Sequence, residues 1–157
     1  MADPDEELEF DEAETAPVLA RMQQQTEAGR GWINLSPGID EDVDVPPTRT
    51  LFSFLSARGP ALPLATWSAG PPGKRASIGL QHAGGPKALA RLAEVGIIRP
   101  SGWLKAQDHP RRGLVITVPP GEDHDEVLYW LLSAAHALSA VPLTGDWLAR
   151  VYSGVRS

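Results

Sequence analysis

Alternation of apolar and polar residues along two stretches, 75–81 and 112–118, predicts half-buried β-strands. In each stretch every second residue is apolar, so one face can pack into a core while the other meets water. The apolar positions are Ala76, Ile78 and Leu80 in the first stretch and Leu114, Ile116 and Val118 in the second. Shorter stretches at 31–36, 62–68 and 103–107 are also expected to be strands. One-sided alternation of this kind is typical of antiparallel sheets.

Apolar residues at helical spacing predict a helix after each of the two alternating stretches. The first helix is expected to begin at Pro86, and the second at Asp123, which forms a capping-box pattern with Glu126. Two further helices are expected closer to the N-terminus, over 16–28 and 48–57.

A shift of 38 residues brings the first strand and helix onto the second strand and helix. The chain is therefore expected to contain two ββα units, preceded by N-terminal helices. This predicts a two-layer α+β fold, with helices on one face of a mainly antiparallel sheet of roughly four to five strands. The segment 142–157 fits either a strand or a helix start and is expected to dock Trp147. Residues 15–157 are predicted to form one domain.

Charge is distributed unevenly along the 157 residues, whose net charge is −6. Residues 1–14 contain eight acidic side chains and no basic one. They hold only Leu8 and Phe10 as large apolar residues after Met1, so a disordered or loosely docked acidic tail is expected. Residues 58–112 carry nine basic and two acidic side chains. Such a basic segment can attract anions through its electric field.

Several classes of function are excluded or disfavoured by what the sequence lacks. The chain contains no cysteine, which excludes disulfides, thiolate catalysis and cysteine-ligated metals. No apolar run reaches the length of a membrane span and no signal peptide is recognisable, so a cytoplasmic protein without a membrane partner is expected. Signatures of DNA-binding modules are missing, which makes nucleic acid the least favoured partner. The acidic loop 40–47 lacks the spacing of a calcium loop, and neither metal nor cofactor is predicted.

The turn HAGGPK, residues 82–87, is the first candidate binding site. Gly84 and Gly85 would let an anion approach the backbone N–H groups at the start of the following helix, and Lys87 adds positive charge. His82 lies at the end of the preceding strand, on the same face as its apolar residues. The alternative is structural: the glycines make a tight turn, and His82 is a hydrogen-bonded histidine at the edge of the core.

The turn QDHPRRG, residues 107–113, is the second candidate. Asp108 could orient the imidazole of His109, while Arg111 and Arg112 could grip a carboxylate or phosphate in bidentate fashion. The alternative is an ordinary exposed turn, because aspartate and proline are common turn formers.

Two other features favour structural roles. The segment GEDHDE, residues 121–126, contains His124, but capping of the following helix accounts for its acidic residues. The five tryptophans could line a groove, although core or interface positions are the more usual ones.

Two functional hypotheses follow. The first is a non-enzymatic module that binds an anionic ligand or a protein partner through the basic segment 58–112. Homodimerisation through an uncovered edge or face of the sheet is a further expectation. The second is an enzyme acting on a phosphorylated or carboxylated small molecule, with His82 as acid/base and Lys87, Arg111 or Arg112 holding the anion. No catalytic constellation is recognisable, which favours the first hypothesis.

Overall fold

One antiparallel sheet of seven strands, with three helices, forms the part of the chain that the computed structural model describes, residues 3–43 and 60–154. In chain order the elements are β1 (Glu6–Asp11), α1 (Ala16–Ala28), β2 (Trp32–Pro37), β3 (Leu64–Ser68), β4 (Ala76–Gln81), α2 (Ala88–Glu94), β5 (Leu104–His109), β6 (Gly113–Val118), α3 (His124–Leu138) and β7 (Asp146–Tyr152). The strand order is β1-β7-β2-β3-β4-β6-β5. The predicted α+β class with a mainly antiparallel sheet is confirmed.

The predicted alternation appears in the sheet as one continuous buried face. Ile78 and Leu80 of β4 pair with Ile116 and Leu114 of β6, and all four side chains are buried. Residues from the three helices join these strand residues in a single hydrophobic core. Helix α3 packs on β3 and β4 and is buried along most of its length. Burial of this one face supplies the main favourable free energy of folding.

The expectation of four to five strands is wrong, because the sheet has seven. The additional strands come from the two ends of the chain. The ambiguous segment 142–157 contains β7, which inserts between β1 and β2 and buries Trp147, Ala149 and Val151 on the core face. A strand forms here because β7 can pair on both of its sides, which a helix start at Thr144 would not permit.

The acidic segment also differs from the disordered tail that was expected for residues 1–14. Glu6–Asp11 forms strand β1, paired along its length with β7. Phe10 is buried opposite Trp147, and Leu8 packs against the core. Arg21 of α1 donates two hydrogen bonds to Glu6 and thereby holds the pKa of that carboxyl below its usual value. Strand pairing and two apolar anchors therefore order a segment whose composition alone indicates disorder.

One helix begins where the sequence predicts, and another begins later than predicted. Helix α3 is capped by Asp123, whose Oδ1 accepts a hydrogen bond from the backbone nitrogen of Asp125 at 3.0 Å. Helix α2 begins at Ala88 rather than Pro86, because Lys87 adopts a left-handed conformation with φ of 58°. The helix expected over 48–57 lies outside the described residues. None of the described helices is long and apolar enough to cross a membrane.

Candidate functional site

His82 is completely buried and holds the turn between β4 and α2. Its Nδ1 accepts a hydrogen bond from the backbone nitrogen of Gly84 at 3.0 Å, which leaves the proton of the neutral ring on Nε2. Nε2 is buried and has no hydrogen-bond partner in the described structure. Burial lowers the pKa of His82, the Asp108 carboxylate opposes that shift, and Arg91 adds to it. The imidazole is therefore kept neutral and inside the core.

The two glycines of this turn bring the chain close to helix α3. A Cβ atom on Gly84 would come within 2.9 Å of the Leu138 side chain and 3.2 Å of His82 Nδ1, so a larger residue would require the end of the Leu138 side chain to move. Gly85 follows with a positive φ of 84°. The turn that was predicted to admit an external anion is thus shaped by close packing against the protein itself.

An anion does lie at the start of α2, and it belongs to the chain. The Asp108 carboxylate of β5 accepts hydrogen bonds from the backbone nitrogens of Ala88 at 3.0 Å and Leu89 at 3.1 Å. Both candidate turns, 82–87 and 107–113, are therefore brought together. Because a carboxylate already takes these N–H groups, a second anion at the same position would meet a like charge.

His109 closes the β5–β6 turn. Its Nδ1 accepts hydrogen bonds from the backbone nitrogens of Arg111 and Arg112, both at 3.1 Å. Gln107 supports the same turn by donating to the carbonyl oxygen of Arg112 at 3.1 Å. The Asp108–His109 pair thus has two separate structural tasks, while the guanidinium groups of Arg111 and Arg112 remain exposed.

Exposed basic and apolar side chains cluster around the edge strand β5. We call this surface the β5 end; it comprises Lys87, α2, the connection 95–103, β5 and the β5–β6 turn. Six exposed basic residues belong to it, and in the described part of the chain none of them forms an ion pair: Lys87, Arg91, Arg99, Lys105, Arg111 and Arg112. Val95, Ile98 and Leu104 are exposed there by 65%, 68% and 55%, although each is a large apolar residue.

His124, which lies in the segment 121–126, links α3 to α1. Its Nε2 lies 2.9 Å from Thr26 Oγ1, and that hydroxyl donates to the carbonyl oxygen of Met22, so His124 is the donor to Thr26. The ring also meets Trp67 edge-on, with centroids 5.6 Å apart. Burial lowers the pKa of His124, and Asp123 opposes that shift. A cavity of about 90 Å³ lies beside these residues.

The sequence did not predict the contact that His136 of α3 makes with Glu12. The Nε2 of His136 lies 2.7 Å from Glu12 Oε2, and Trp147 Nε1 donates to the same oxygen at 3.1 Å. These residues are distant in sequence and meet only because β1 pairs with β7. In the described residues, no three side chains of the metal-ligating types come together in a way that could hold a metal ion.

The tryptophans are mainly core residues, as the structural alternative indicated. Trp67, Trp103, Trp130 and Trp147 are buried. Trp32 is half-buried and stacks on Tyr152, with ring centroids 5.0 Å apart and an interplanar angle of 9°. These rings hold the sheet and helices together and do not line one common groove.

The β5 end is thus the surface on which the predicted basic residues remain accessible, whereas His82, Gly84, Asp108 and His109 maintain local structure. Comparison with protein-family models, with curated proteins and with solved structures finds no match to this chain.

Proposed function

We propose that this protein is a non-catalytic interaction module whose β5 end binds an acidic, partly apolar segment of a partner protein. The observation that carries the proposal is the concentration of six basic and three large apolar side chains, all exposed, around one strand edge. Within the described residues these bases form no ion pair and the edge has no partner strand. Arginine is enriched in protein interfaces. Clusters of exposed apolar residues mark interaction sites, whereas apolar residues exposed singly are normal on protein surfaces.

The edge strand explains how such a segment would bind. Strand β5 pairs with β6 on one side only, so within the described structure its other side offers backbone N–H and C=O groups to an added strand. The exposed side chains of Leu104 and Ile98 would contact apolar residues of the segment. The basic residues would pair with its carboxylates, which increases the association rate and selects against basic partners.

A partner segment is favoured over a small anion at the start of α2. Asp108 already accepts the N–H groups of Ala88 and Leu89, so a small phosphate or carboxylate would gain little there. The remaining bases are spread over α2 and its start, the connection 95–103, β5 and the β5–β6 turn, a distribution that suits an extended chain. No metal ion or cofactor is part of this proposal.

The alternative is an enzyme for a phosphorylated or carboxylated small molecule, with His82 as acid/base. His82 is completely buried, and its Nδ1 is engaged by the backbone of Gly84. A substrate would reach the ring only after the turn had moved away from α3. These contacts favour the interaction module over the enzyme.

Fluorescence anisotropy with a labelled peptide of alternating glutamate and valine tests the proposal. We expect binding at low ionic strength that weakens about tenfold or more at high salt, because charges at a surface are screened beyond roughly 10 Å at about 0.1 M salt. The double variant Arg111→Ser/Arg112→Ser and the single variant Leu104→Ser should each weaken binding.

The matched control is Arg30→Ser/Arg150→Ser, which removes two positive charges beside β2 and on β7, strands that three or more others separate from β5. It should bind as the natural protein does. If both double variants lost binding equally, net charge alone would account for the effect, and the proposal would be contradicted. Tighter binding of a single-stranded DNA oligonucleotide than of the peptide would point to nucleic acid and also overturn it.

A further inference from the structure

The surroundings of the two edge strands of the sheet carry opposite charges. Strand β1 lies in the segment 3–14, which holds eight acidic residues. Glu6 and Glu7 pair with Arg21 and Arg150, and Glu12 contacts His136. The other five acids form no ion pair within the described residues. At the other edge β5 is surrounded by the six unpaired bases of the β5 end. Strand order thus converts a charge difference along the sequence into a charge separation across the molecule.

Both edge strands have a free side in the described structure. Strand β1 pairs only with β7, and β5 pairs only with β6. Each is six residues long, so the two edges match in length. Unpaired edges are templates for strand addition, and natural proteins commonly blunt them with charge. Here the charges that blunt the two edges are of opposite sign, so they repel like edges and attract unlike ones.

We propose that the acidic segment bound by the β5 end is strand β1 of a second copy of this chain. This inference rests on the proposed function, since it names the partner of the same surface. The sheet of one copy would continue, edge to edge, into the sheet of the next. Contact would also cover the exposed side chains of Val95, Ile98 and Leu104, which a lone copy leaves in water.

The charge layout fixes the symmetry of this association. A two-fold dimer through β5 would face bases with bases, and one through β1 would face acids with acids; both are unfavourable. The contact of β1 with β5 is heterologous, and such a contact leaves one free edge at each end of the pair, so copies can continue to add. The register shift between Lys105 and Gln107 makes the β5 edge irregular and so limits the backbone hydrogen bonds that an added strand can form. Charge attraction then contributes more to the association, and we expect the association to depend strongly on salt.

Sedimentation velocity of the full chain, over a range of concentrations, tests the proposal. At low salt we expect the weight-average sedimentation coefficient to rise with concentration beyond that of a dimer, and at high salt to return to that of a monomer. Two variants carry the test further. Glu9→Lys/Glu14→Lys reverses two exposed acids near β1, and Lys105→Glu/Arg111→Glu reverses two exposed bases at the β5 end.

Each variant alone should associate at least tenfold more weakly than the natural protein, because its two edges then carry more similar charges. An equimolar mixture of the two should recover association, since the acidic edge of one meets the basic edge of the other. Thermal unfolding of each variant verifies that the fold is retained. The inference is overturned if the natural protein stays monomeric at low salt, if assembly stops at a dimer, or if the mixture fails to recover.

The two proposals fail in distinguishable ways. If the glutamate–valine peptide binds at the β5 end while the full chain stays monomeric, the interaction module stands and the second copy is not its partner. If neither the peptide binds nor the chain associates, the proposed function itself fails.

Discussion

Asp108 of β5 caps helix α2 from outside the helix: its Oδ1 accepts the backbone N–H of Ala88 at 3.0 Å. The other carboxylate oxygen accepts the N–H of Leu89 at 3.1 Å. One side chain therefore satisfies two of the free donors at a helix start and ties the helix to the edge of the sheet.

Replacing Asp108 by alanine should lower the free energy of unfolding by about 1–2 kcal/mol, the usual consequence of losing a helix cap. Asp108→Asn should lower it less, because the amide oxygen can still accept one of the two bonds. Urea unfolding measures both. Glu94→Ala, an exposed acid at the other end of α2, is the control and should change stability by less than about 0.5 kcal/mol. Equal effects of Asp108→Ala and Glu94→Ala would contradict the capping role.

Buried His82 should make the protein less stable in acid. Because burial lowers its pKa in the folded state, the unfolded chain takes up the proton first as the pH falls. The stability contributed by neutral His82 is therefore complete above the ordinary histidine value of 6.5 and declines as the pH falls below it toward the lower folded pKa. Urea unfolding at a series of pH values measures this decline.

His82→Asn isolates the effect, since the asparagine oxygen can accept the Gly84 N–H but does not titrate. The free energy of unfolding of the natural protein, relative to that of the variant, should decrease as the pH falls from 7 to 5, about the range in which an ordinary histidine titrates. The pKa of His124 is also lowered by burial, but that residue is present in both proteins and cancels. Parallel stability curves would show that His82 does not titrate differently in the two states.

Gly113 at the start of β6 should not tolerate a side chain. Its φ is 90°, and an added Cβ would lie 2.5 Å from the carbonyl oxygen of Leu80. Gly73 has a similar φ of 74° but open space around it. Gly73→Ala should therefore cost about 1–2 kcal/mol from backbone strain alone, and Gly113→Ala clearly more. Thermal unfolding compares them, and equal losses would mean that the contact with Leu80 relaxes freely.

Phe10 tests whether the acidic segment is an integral strand. The side chain is 7% exposed, so Phe10→Ala should lower the free energy of unfolding by about 3 kcal/mol, as other buried phenylalanines do. The neighbouring exposed Glu9→Ala should have almost no effect. If Phe10→Ala also changed stability by less than about 0.5 kcal/mol, the segment would behave as the loosely docked tail that its composition indicates.

Local patterns in the sequence were sufficient to predict the centre of the fold. Alternation identified β4 and β6, and their apolar residues do form paired, buried positions such as Ile78 and Ile116. Strands β1 and β7 were missed or left open because their stability comes from pairing with each other, across almost the whole chain. No local pattern contains that information.

The candidate site was predicted in part. The sequence predicts a bound ligand anion at the start of α2, and in the structure the carboxylate of Asp108 takes this position. The contact depends on the placement of β5 beside α2, which is a tertiary feature. The contacts of His124 with Thr26 and of His136 with Glu12 were missed for the same reason.

The pairing of β1 with β7 has a consequence for synthesis of the protein. Glu6 pairs with Val151, so β1 has no partner until about 145 further residues have been made. At roughly 5–20 residues per second, the ribosome needs about 7–30 s to produce them. During that time the N-terminal segment is an unpaired nascent strand that bears Leu8 and Phe10. Its dense negative charge would keep nascent chains from sticking to one another through this segment until β7 emerges.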